Sequence, residues 1–140
     1  MDENIEAKIR YLEMIQSIMT RMSTNSFMMK GWAVTLTTGI FALSAKEANV
    51  IYFLIAYFPV VLFWFLDSYY LMLERQFKHY YDIIAEEKEN DIKFNISRPE
   101  PNRNKKTFYD QCLFSTTEVF FYVPMAALIP GVVILAQYLQ

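Results

Sequence analysis

The run Val50–Leu66, VIYFLIAYFPVVLFWFL, constrains this chain more than any other stretch: its seventeen residues carry no charge, and Asp67 closes it. At about 1.5 Å rise per residue, a helix of that length covers most of a hydrocarbon core of roughly 30 Å. Helical spacing then continues through Tyr69–Glu89. Leu73, Phe77 and Ile84 hold one stripe, while Glu74, Arg75, Lys78, Asp82 and Glu86 take other faces. The pattern predicts a membrane span over residues 50–66 that continues as a cytoplasmic helix to residue 89. Pro59 removes one backbone hydrogen bond in mid-run and is expected to kink the span.

The rest of the composition agrees with that setting. Hydrophobic residues make up 54% of the chain and charged residues only 20%, gathered in blocks, as in integral membrane proteins. A net charge of −2 argues against a nucleic-acid partner, which calls for a basic face. Cys112 is the single cysteine and His79 the single histidine, so neither an internal disulfide nor a cysteine or histidine metal cluster is expected, and no cofactor is implied. His79 reads as a surface or interface histidine. The opening MDENIEAKIR has no apolar run, so targeting is expected to rest on a membrane segment rather than on a cleaved signal.

Residues 4–28 read as an amphipathic cytoplasmic helix, with Ile5, Ile9, Leu12, Ile15, Met19 and Met22 at steps of three and four. It either packs against another helix or lies in the membrane interface. A first span is expected over 29–45. In it Gly31, Thr35, Thr38, Ala42 and Ala45 form a strip of small residues, which suits close helix contact in lipid. The strip serves either the chain's own second helix or self-association, with Thr35 and Thr38 then lining a polar path. Lys46-Glu47-Ala48-Asn49 is a tight connection that returns the second helix antiparallel. Counting down that hairpin places Lys30 level with residues 64–67. A Lys30–Asp67 ion pair at the membrane boundary is therefore expected, the alternative being that both groups face headgroup water.

Residues 90–114 read as a cytoplasmic loop region. Ile92, Phe94 and Ile96 alternate like a short strand, with Lys106–Leu113 among its candidate partners. Arg98, Arg103, Lys105 and Lys106 are candidate contacts for phosphate or lipid headgroups, or an ordinary basic loop. Ser115 and Glu118 fit a capping box that opens a third span over 116–139, with Pro124 and Pro130-Gly131 inside it. Of the 13 basic residues, only Lys46 falls outside Met1–Lys30 and Asp67–Glu118, so the N-terminus and the central region are expected on the cytoplasmic side. The fold class is thus an all-α membrane protein in a single domain, with an amphipathic N-terminal helix, a transmembrane hairpin extended into the cytoplasm, and a third transmembrane helix.

No Walker motif, dinucleotide fingerprint, HExxH or nucleophile elbow is present, so an enzyme is not expected. Over residues 5–89 the layout, and NSFMMKGWAVTL followed by FWFLDSYYLMLER, resemble the small bacterial membrane effectors of the SLATT type. That resemblance implies a multi-pass protein of the bacterial inner membrane that forms homo-oligomers and permeabilises or depolarises the membrane in anti-phage defence. Its partners would be membrane lipid and a cytoplasmic sensor or signalling protein. The third span departs from the simple two-span pattern. The alternatives are a non-conducting membrane anchor that recruits a cytoplasmic protein through its stalk, and a holin-like lysis protein.

Overall fold

The computed structural model describes residues 3–44, 50–87 and 99–138. All the regular structure among them is helical: α1 (Glu3–Ser44), α2 (Val50–Glu86), a 3-10 turn (Arg103–Lys105), α3 (Tyr109–Leu113) and α4 (Thr116–Tyr138). Ala45 of the small-residue strip, the connection at 46–49, residues 88–89 of the expected stalk, the strand-like pattern at 92–96, Arg98 and residue 139 of the expected third span lie outside the described residues.

One difference from the sequence reading is immediate. The amphipathic helix and the first apolar segment are a single helix of 42 residues, about 60 Å long. No proline interrupts it, and a helical glycine such as Gly31 costs only about 1 kcal/mol relative to alanine. α2 likewise runs through Pro59 as one helix of 37 residues. In the 90–114 region Tyr109–Leu113 is helical, so that segment offers no strand to pair with.

α1 and α2 are antiparallel. Lys8 Nζ donates to the Ala85 carbonyl at 3.1 Å and the Glu87 carbonyl at 2.7 Å, and the Tyr11 and Tyr80 hydroxyls bond at 3.0 Å. Tyr11, Ile15 and Ile84 are buried there, with Leu12, Met19, Phe77, Tyr80 and Tyr81 around them. At the other end Ala33, Ala56, Val60, Tyr122 and Ile129 form a second cluster, in which α4 joins the hairpin. α4 runs antiparallel to α2: Trp64 Nε1 donates to the Leu113 carbonyl at 3.1 Å, and the Tyr57 hydroxyl to the Ala126 carbonyl at 3.2 Å. The latter bond has a local cause. Pro130 has no N–H to give the carbonyl four residues back, and Tyr57 supplies the missing donor from the neighbouring helix.

By length and composition two helical stretches, within Leu54–Glu86 and Arg103–Val132, are able to cross a membrane. Only 28% and 33% of their apolar windows are buried within the protein, unlike the core helix of a water-soluble fold. The upper half of α1 is not among them; its run of Thr35, Thr37, Thr38 and Gly39 keeps it more polar.

Candidate functional site

Three helices bring their charges to one point. α1 supplies Ser26 and Lys30, one turn apart on the same face; α2 supplies Asp67; α4 supplies Glu118 and Tyr122, again one turn apart. Lys30 Nζ is paired with Asp67 Oδ2 and lies 2.9 Å from Glu118 Oε1. The Ser26 hydroxyl donates to Asp67 Oδ1, and the Tyr122 hydroxyl to Asp67 Oδ2 at 3.0 Å. Asp67, Glu118 and Tyr122 are fully buried, while 16% of the Lys30 side chain is exposed. Its ammonium also stands 5.8 Å from the Phe121 ring centre and 5.9 Å from that of Tyr122. Trp64 stacks on Tyr122 at 6.0 Å and closes one side.

This junction is well supplied with donors around Asp67 but unbalanced in charge, since two carboxylates face one ammonium. Glu118 Oε2 has no hydrogen-bond partner. Burying such groups is costly unless they are bonded to one another, so removing one member leaves the others exposed to that cost. The arrangement works as a polar clamp that ties α1, α2 and α4 at one depth.

Glu118 is the member that sequence reasoning missed. Its place three residues after Ser115 suits a capping box, yet its carboxylate turns to Lys30 rather than back to the Ser115 N–H, which donates to the Cys112 carbonyl instead. The Ser115 hydroxyl accepts from Arg75 at 3.2 Å. The only available signal was an acid at the start of an apolar run, at the depth of Lys30.

The other sequence candidates are scattered. Gly31, Thr35, Thr38 and Ala42 are all on the outer surface of the hairpin, and Ala33 and Thr37 take the inward positions against α2. The strip is therefore not what packs α1 on α2. A Cβ added at Gly31 meets nothing within 4 Å, and a shallow cavity of about 370 Å³ opens beside it, bordered by Phe27, Trp32 and Thr35. Pro59 is buried in α2. Arg103 is exposed, 3.7 Å from Asp110 and over the Phe108 ring at 4.7 Å. Lys105 and Lys106 are exposed, and Lys106 adopts a left-handed backbone (φ 54°) where the 3-10 turn ends. His79 faces the 99–107 segment, its Nε2 3.3 Å from Asn102 Nδ2. Among the described residues no group of three His, Cys, Asp or Glu side chains is placed to hold a metal.

Comparison with known proteins gives no match: no family model, no curated protein and no solved structure matches this chain.

Proposed function

We propose that this chain is an oligomeric protein of the bacterial inner membrane that permeabilises or depolarises the membrane, acting in anti-phage defence. The first part of α2 and α4 are spans, the upper half of α1, the more polar of the three, crosses beside them paired with α2, and the N-terminus and stalk face the cytoplasm. The observation that carries the reading is the outward strip Gly31–Thr35–Thr38–Ala42. A strip of small side chains left uncovered by its own hairpin lets another helix approach closely in lipid, where packing drives association. A second copy is the occupant that makes use of it, and the two threonine hydroxyls then lie at the contact or along a polar path. The resemblance of residues 5–89 to SLATT-type effectors points the same way.

The anchor reading is less well supported. It needs a free apolar face on the stalk, and Phe77, Tyr80 and Ile84 are already covered by Tyr11 and Ile15 of α1. In this proposal a cytoplasmic sensor or signalling protein lowers the density at which copies assemble, and at high density they assemble without it.

The test joins assembly to leakage. In a Cys112→Ser background, Thr35→Cys is expected to form disulfide-linked dimers in membranes, and induction of the wild type to collapse the membrane potential. Thr35→Leu, placing bulk on the strip, should prevent both. A protein that stays monomeric and leaves the potential intact when fully expressed and triggered contradicts the proposal.

A further inference from the structure

Beneath the ionic junction lies a cavity of about 460 Å³, set between α2, the turn after Lys105, α3 and the first turn of α4. It is polar, and the charge on it is positive. Arg75 and Lys106 border it, as do Thr116 and Thr117 at the start of α4. The Arg75 guanidinium is held by three neutral acceptors: the Lys106 carbonyl at 3.3 Å, Cys112 Sγ at 3.6 Å and the Ser115 hydroxyl at 3.2 Å. These bonds fix its orientation, and no carboxylate of the described residues forms a salt bridge with it.

Two further features bear on what fits there. The Ser115 and Glu118 side chains are turned to Arg75 and Lys30, so neither closes a capping box over the first-turn N–H groups of α4, which have no intrahelical acceptor. Gln111 also borders the cavity. Its amide nitrogen is turned away to the Arg103 carbonyl at 3.2 Å, so it adds no donor to the cavity. A fixed guanidinium, a lysine, two threonine hydroxyls and open helix N–H groups around one cavity are the donors that recognise a tetrahedral oxyanion.

We propose that the Arg75–Lys106 cavity binds a phosphate group, whether that of an anionic lipid headgroup or that of a soluble phosphate compound. Arg75 gives the charge-assisted hydrogen bonds, Lys106 the second positive charge, and the N-terminus of α4 the remaining donors. Phe114, 70% exposed at the rim, offers an apolar contact of the kind a lipid ligand would use. Binding ties the 99–107 segment to α4 directly below the junction. The site does not depend on the permeabilisation reading, because binding is measured without leakage.

The experiment uses the full chain in an uncharged maltoside detergent, titrated calorimetrically with three probes: inorganic pyrophosphate, dihexanoyl phosphatidylglycerol, and dihexanoylglycerol, which lacks phosphate. Binding of either phosphate probe is expected, and the one that binds identifies the source. Arg75→Gln and Lys106→Asn should each weaken it roughly tenfold or more, the effect of losing one charged contact. Arg103→Gln, away from the cavity, should leave it unchanged. Lys106 is exposed and asparagine tolerates its left-handed backbone, so that variant carries the test if Arg75→Gln fails to fold. No binding of either phosphate probe overturns the proposal. So does binding that both variants retain, or dihexanoylglycerol binding as tightly as the phospholipid.

Discussion

Below the ionic junction α1 meets α2 through Tyr11, Ile15 and Ile84; above it they meet through Ala33, Ala56 and Val60. The lower contact is built from large side chains and a tyrosine pair bridged by their hydroxyls. The upper one is built from small side chains, with aromatics of α2 and α4 closing around them. The contrast follows from the solvent that the proposal assigns to each half. In water, large apolar side chains gain by leaving the solvent. In lipid that gain disappears, and close backbone approach and internal hydrogen bonds take its place. In that proposal the Lys30–Asp67–Glu118 junction lies where one regime gives way to the other.

Four experiments bear on that contrast. The largest effect is expected at the junction. Asp67→Ala leaves Lys30 and the Tyr122 hydroxyl without their shared acceptor and should cost about 3–5 kcal/mol, read from unfolding in denaturing detergent. Asp67→Asn keeps the shape and one acceptor oxygen and should lose less; an asparagine variant as stable as the wild type would mean that charge plays no part. Next comes a matched pair of truncations, Ile15→Ala in the stalk and Ile129→Ala beside Tyr122. The stalk variant should lose about 2–4 kcal/mol and the upper one roughly half as much, and the reverse order would remove the argument from solvent.

A smaller effect is expected from Tyr57→Phe, which takes the donor from the Ala126 carbonyl and should cost about 1 kcal/mol. In a Pro130→Ala background α4 regains its own N–H at that place, and the same substitution should then cost less. The double-mutant cycle reads the difference. The last probe reads reactivity rather than stability. Burial raises the Cys112 thiol above its usual range, against a smaller opposing pull from Arg75. Cys112 should therefore alkylate slowly at neutral pH and faster as pH rises toward its elevated pKa. Arg75→Gln, which removes a group that favours the thiolate, should move that rise to still higher pH.

Much of the hairpin was legible in the sequence because its causes are local. A long uncharged run, a short polar connection and helical spacing on both sides of it set the register, and the register puts Lys30 beside Asp67, where the two side chains meet. The small-residue strip was equally visible as a strip. Which way it faces was not, because Gly31 and Thr35 are no less suited to an inner face than Ala33 and Thr37; only packing against α2 decides. Glu118 was hidden for another reason. Its local context offers a satisfying role in a capping box, and a lysine 88 residues earlier in the chain overrides it. Arg75 looked like one charge among several on a polar stalk face. Its surroundings are made by α3 and by the start of α4, far along the chain.

The central claim is that copies of this chain meet along the outer strip of α1 and open the bilayer. Potassium efflux from liposomes holding the purified chain, measured across a range of protein-to-lipid ratios, tests it most directly. Efflux should rise more steeply than in proportion to the protein present and disappear with Thr35→Leu. Liposomes that stay tight at every ratio, or leak equally with Thr35→Leu, would contradict it.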